Sequence, residues 1–167
     1  SSVGTGDGGF TSCIFVDINN DGHLDIVAGG GGTTTAGFTL LNDGTGDFSD
    51  ATLNPLPNGY FGASNTTITD IQALDINRDG FEDLILAATA HNPYYFGAAI
   101  QAFINDGTGN FTDQTATHIN ATQVSAATDQ AEPDVNWVLE HNVIDLNGDG
   151  AEDIVVGTRS GRAYLQP

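Results

Sequence analysis

Three stretches of the sequence place oxygen-bearing side chains at one repeated spacing. They are Asp17-Ile18-Asn19-Asn20-Asp21-Gly22-His23-Leu24-Asp25, Asp75-Ile76-Asn77-Arg78-Asp79-Gly80-Phe81-Glu82-Asp83 and Asp145-Leu146-Asn147-Gly148-Asp149-Gly150-Ala151-Glu152-Asp153. Positions 1, 3 and 5 are Asp, Asn and Asp each time, position 6 is Gly and position 9 is Asp. In a tight loop, alternate side chains converge on one centre, and a glycine allows the sharp turn that aims the position-7 carbonyl inward. Calcium takes six to eight oxygen ligands at about 2.3–2.6 Å from carboxylates, amides, backbone carbonyls and water. The chemistry on offer is calcium binding, one ion per loop and three in all.

Other readings of the same residues fit less well. An EF-hand needs a bidentate Glu at position 12 and flanking helices, whereas position 12 is Ala28, Leu86 and Val156, inside strand-like runs. Zinc favours His or Cys ligands, and magnesium is the more demanding ion for a loop supplying five oxygens. An Asp-Gly turn without metal accounts for one copy. It does not predict a third aspartate at position 9 in three copies.

The charge balance agrees with a cation role. The chain has 22 acids against three cationic side chains, a formal net charge of −19. No basic surface exists to neutralise phosphates or an anionic membrane. Charge this one-sided destabilises a compact fold unless ions offset it; three divalent ions reduce −19 to −13. No Ser-His-Asp set or free carboxylate pair stands apart from the loops, so an enzyme is not expected.

The elements that position the loops follow from local pattern. A strand precedes each loop (Ile68 to Leu74 in the second), and an apolar strand follows: Asp25 to Ala28, Asp83 to Ala87, Asp153 to Gly157. A third strand (Phe38 to Leu41, Ala99 to Ile104) ends at a second repeated motif. That landmark is Asn42-Asp43-Gly44-Thr45-Gly46-Asp47-Phe48, and again Asn105-Asp106-Gly107-Thr108-Gly109-Asn110-Phe111. Its Asx-Gly pairs supply the positive φ angles of tight hairpins and lead to a fourth strand, Phe48 to Thr52 and Phe111 to Ala116. The expected fold is all-β: three antiparallel propeller-type blades at about 10–53, 61–117 and 134–167. The third is incomplete, with Ala163 to Pro167 as its last strand. Three blades do not close a ring within one chain, since propellers typically have four to eight; either the sequence is part of a longer propeller, or other chains cover the end faces.

The motif D-[IL]-N-x-D-G-x-x-D followed by an apolar strand resembles the FG-GAP/VCBS repeat family, and the N-D-G-T-G-x-F turns resemble the hairpin between the last two strands of its blades. Phe61-Gly62 stands roughly where the family's FG pair does. The resemblance implies these calcium ligands: Asp17, Asn19, Asp21, the His23 carbonyl and Asp25; Asp75, Asn77, Asp79, the Phe81 carbonyl and Asp83; Asp145, Asn147, Asp149, the Ala151 carbonyl and Asp153. It also implies an extracellular or cell-surface setting and a role in adhesion, recognition or scaffolding. Copies of the chain, or another extracellular protein, are the expected partners covering the open blade edges. Assembly into an oligomer is expected, or into a filament if the contact is heterologous. The alternatives are a carbohydrate-binding lectin fragment, with Tyr94 and Tyr95 stacking on glycans, and an accessory domain of a secreted enzyme.

Four smaller expectations complete the reading. Cys13, in the run Cys13-Ile14-Phe15-Val16, is expected to be a buried thiol, and Trp137 to be core. Gln114 to Asn136 reads as a surface excursion. Asn65, Asn110 and Asn120 begin glycosylation sequons, at about the frequency that composition alone produces.

Overall fold

The computed structural model describes residues 9–31, 36–92, 96–119, 138–158 and 163–166. Across these described residues the fold is all-β, in three antiparallel sheets that do not close into a barrel. Blade 1 holds β1 (Phe10–Val16), β2 (Asp25–Gly30), β3 (Gly37–Leu40) and β4 (Leu53–Pro55), side by side in chain order. Blade 2 holds β5 (Thr66–Leu74), β6 (Asp83–Ala90), β7 (Phe96–Asn105) and β8 (Phe111–Asp113). One helical turn, α1 (Thr115–His118), follows it. Blade 3 holds β9 (Val138–Ile144), β10 (Asp153–Thr158) and β11 (Ala163–Gln166). Each aspartate loop joins the first and second strands of its blade.

The blades pack face to face with blade 2 in the middle, so β6 is buried along its whole length. Its alternating side chains serve two cores. Leu84 and Leu86 join Ile18, Val27, Ile68, Ile71 and Phe103 against blade 1. Ile85 and Ala87 join Ile100, Ala102, Ile154 and Val156 against blade 3. A strand covered on both faces reads as a continuous apolar run, which is the sequence of β6, Asp83-Leu84-Ile85-Leu86-Ala87-Ala88-Thr89-Ala90.

The blade 1–blade 2 boundary is narrow at Gly29, where an added Cβ would stand 2.6 Å from Ile68 Cγ2. Gly29→Ala is expected to destabilise the fold by about 1–3 kcal/mol through overpacking, measurable as a lower urea midpoint. An unchanged midpoint would mean that the blades can move apart.

Blades 2 and 3 are also joined by polar contacts. Asp70 Oδ2 accepts the backbone N–H of His141 (2.9 Å), and Gln72 Oε1 accepts that of Val143 (3.3 Å). The Gln72 amide donates to the His141 carbonyl. Asp70 Oδ2 also lies 3.0 Å from His141 Nδ1, at an angle short of a hydrogen bond. The His141 side chain is fully buried. Burial raises the Asp70 pKa, but the contacts with His141 outweigh it and hold the carboxyl below its usual value of 3.8. A depressed carboxylate stabilises the fold above its unfolded-state pKa, and that contribution is lost as pH falls through the lower folded value. Asp70→Asn should therefore lower stability near neutral pH, by about 1–2 kcal/mol, and the difference from wild type should shrink below pH 4. A difference independent of pH would assign the effect to packing alone.

Three expectations are corrected. The fourth strand of blade 1 is Leu53–Pro55, not Phe48 to Thr52. Asp47 accepts the Ser49 N–H and Ala51 N donates to the Phe48 carbonyl, so a second turn delays the strand. In blade 2 the strand stops at Asp113, whose side chain accepts both the N–H and the hydroxyl of Thr115 (2.9 and 2.5 Å) and starts α1. Cys13 is exposed, not buried. It alternates with Ile14 and Val16, which pack on the core against blade 2, so Cys13 and Phe15 face outward. Trp137, Tyr94, Tyr95 and most of the Gln114 to Asn136 excursion lie outside the described residues.

Candidate metal loops

Each loop is a compact turn held by its own carboxylates. In loop 1, Asp17 accepts the N–H groups of Asp21 (3.0 Å) and Gly22 (2.8 Å). Asn19 Oδ1 accepts the Asp21 N–H, and Asp21 Oδ1 accepts the His23 N–H. Loop 2 repeats the pattern: Asp75 with Asp79 N and Gly80 N, Asn77 with Asp79 N, Asp79 with Phe81 N. Loop 3 does so with Asp145, Asn147 and Asp149. Amide bonds, that from Gly150 first, hold the Asp145 carboxyl below its usual range. Position 4 is left-handed in all three, with φ of 57° at Asn20, 62° at Arg78 and 76° at Gly148. This region suits Asn and Gly better than most residues.

The position-9 aspartates are buried, at 0%, 0% and 2% exposure for Asp25, Asp83 and Asp153. Asp25 accepts the Ile18 N–H with one oxygen and the Asn42 N–H with the other. Asp83 likewise accepts Ile76 N, Asn77 N and Asn105 N. Each staples its loop to the landmark turn of the same blade. Asp153 accepts Leu146 N, and no landmark amide reaches it among the described residues. The third aspartate thus has a use without metal, which corrects the premise that a plain turn has none. Burial pushes the Asp83 carboxyl up, against its amide bonds, and raises Glu82 with help from Asp75 and Asp83.

The landmark asparagines continue the stapling. Asn42 and Asn105 donate to the position-8 carbonyls of Leu24 and Glu82. Asn105 also reaches across the blade boundary to the Ile18 carbonyl (2.7 Å). Position-7 side chains lie against landmark glycines: an added Cβ on Gly44 would meet the His23 ring at 2.6 Å, and one on Gly107 would meet Phe81 at 2.8 Å. The His23 ring therefore rests on the turn, leaving its carbonyl as the group for the loop.

Among the described residues no group of three or more His, Cys, Asp or Glu side chains is set to hold a metal ion. The loops present oxygen donors of three kinds, carboxylate, amide and backbone carbonyl, and this set fits a hard cation such as calcium. Loading would require carboxylates that now accept loop amides to share their remaining lone pairs. Positions 1, 3 and 5 lie together in each loop, while position 9 faces the loop base and the landmark. Sequence reasoning missed the position-4 residues, which bridge neighbouring loops: Asn20 Nδ2 donates to the Gly80 carbonyl (2.7 Å) and Arg78 Nη2 to the Gly150 carbonyl (2.8 Å). The only sequence signal was the Asn and Gly choice at that position, suited to positive φ.

Repeated antiparallel blades, two of four strands and one of three among the described residues, each with an aspartate loop after its first strand, define a propeller-type repeat protein. The model of the FG-GAP-like repeat matches residues 17–86 and again 75–156. The chain belongs to the FG-GAP-like repeat family. Repeats of this family are typically extracellular modules, as in integrins. No curated protein matches the chain. No helix among the described residues is long and apolar enough to cross a membrane.

Proposed function

We propose that the chain is a calcium-binding extracellular structural or adhesive module, not an enzyme, and that further copies or another extracellular chain cover its open faces. The observation that carries the calcium reading is the threefold recurrence of one oxygen-donor loop at the same place in each blade. Within this reading Asp17, Asn19, Asp21, the His23 carbonyl and Asp25 would hold the first ion, and their equivalents the second and third. The ion would supply positive charge that offsets crowded carboxylates and ties loop to blade.

The partner reading rests on one gradient. Position 2 is Ile18, fully buried; Ile76, half-buried against blade 3; and Leu146, 52% exposed. Ile18 is covered by the neighbouring blade, where Asn105 donates to its carbonyl and a Cβ on Gly109 would meet its side chain. Leu146 and Ile144 (48% exposed) await such a cover, as does Phe15 (65%) on the outer face of blade 1.

Native mass in calcium and after chelation tests this reading. A calcium-dependent multimer or filament supports it. A monomer in both conditions overturns the partner reading.

A further inference from the structure

We propose that the position-4 side chains Asn20 and Arg78 couple neighbouring cation loops, so that ordering one loop readies the next; this rests on the calcium reading above. The two contacts repeat one geometry across two boundaries. Asn20 of loop 1 caps the position-6 carbonyl of loop 2, Gly80 (2.7 Å), and Arg78 of loop 2 caps that of loop 3, Gly150 (2.8 Å). Two chemically different side chains making the same bond from the same left-handed position mark a feature of the repeat rather than an accident of one surface.

The capped carbonyl belongs to the peptide unit that carries the position-7 N–H. That unit is held at both ends. In loop 2, Phe81 N donates to Asp79 Oδ1 (3.0 Å) while Asn20 holds Gly80 O. In loop 3, Ala151 N donates to Asp149 Oδ1 (2.8 Å) while Arg78 holds Gly150 O. The next carbonyl along the chain is the candidate position-7 ligand, so the neighbour's side chain helps set its direction. The donor itself sits between the position-3 and position-5 candidate ligands. Ordering those two therefore steadies the donor, and the coupling runs both ways, as linkage requires.

The relay is bounded. Loop 3 has Gly148 at position 4, with φ of 76° and no side chain to pass the contact on. Among the described residues nothing reaches Gly22 as Asn20 reaches Gly80. Asn20 and Arg78 are positioning residues, since neither supplies a ligand to its own loop.

The test compares Arg78→Asn with Arg78→Gly during a calcium titration followed by the backbone amide signals of Gly22, Gly80 and Gly150. Both variants lose the same charge and tolerate positive φ, but only Asn keeps a donor of the kind that works at position 20. The loop 3 midpoint is expected at roughly fivefold higher calcium in Arg78→Gly than in Arg78→Asn, the scale of one net hydrogen bond, with the loop 1 midpoint unchanged. Equal loop 3 midpoints, or a loop 1 shift as large as that of loop 3, would overturn the coupling while leaving calcium binding intact. No calcium response in any loop of the wild type would overturn the calcium reading itself, and the coupling with it. Asn20→Gly, read at loop 2, repeats the comparison with the wild type should Arg78→Gly fail to fold.

Discussion

Removing calcium is expected to lower the thermal midpoint of the protein by on the order of 15–30 °C. A ligand that binds only the folded state stabilises it by about 2.7 kcal/mol at a hundred times its dissociation constant. Three loops loaded independently give roughly three times that. Each kcal/mol moves the midpoint of a chain this size by about 2–4 °C. Part of the effect is charge: a fold at −19 with half of its 22 acids in three loops gains by every divalent ion it takes up. Calorimetry in calcium, in chelator and in chelator followed by magnesium measures the effect. A midpoint that does not change between calcium and chelator speaks against any structural role for the ion.

The second large effect separates what Asp83 does for the fold from what it does for an ion. Asp83→Ala should destabilise the calcium-free protein by about 2–4 kcal/mol, because a buried amide left without an acceptor costs about 1–3 kcal/mol and a part-buried one less. The amides in question are Ile76 N, Asn77 N and Asn105 N. Asp83→Asn keeps one acceptor oxygen and should lose less. Asp75, whose bonds lie within an exposed loop, should matter far less without calcium: Asp75→Ala is expected to cost about 1 kcal/mol in chelator, on the scale of ordinary hydrogen bonds. Denaturant melts in chelator check both. A loss below 0.5 kcal/mol for Asp83→Ala would mean that the stapling amides find water instead.

The sequence was most legible where chemistry and backbone geometry demand the same residue. Gly22, Gly80 and Gly150 all adopt positive φ, and the run Leu84-Ile85-Leu86-Ala87 announced an apolar strand, which the structure covers on both faces. The loops, the flanking strands and the blade count followed from such positions. The failures share a cause: the deciding partner lay far away in the sequence or in an unmarked turn. Cys13 and Ile14 look alike as sequence, and only the placement of blade 2 decides which faces inward. The Ser49 N–H that Asp47 accepts adds a turn that strand propensity does not register. Asn20 and Gly80 are 60 residues apart, so no local pattern announces their bond. Asp25 and Asp83 were read as ligands alone because their amide partners, Asn42 and Asn105, belong to a different motif.

Counting calcium bound per chain, by elemental analysis of protein dialysed against micromolar calcium, tests the central claim most directly. The account predicts three ions per chain, falling to two in Asp75→Ala. A wild-type chain that retains none would contradict it and would leave the three loops as turns held by their own carboxylates.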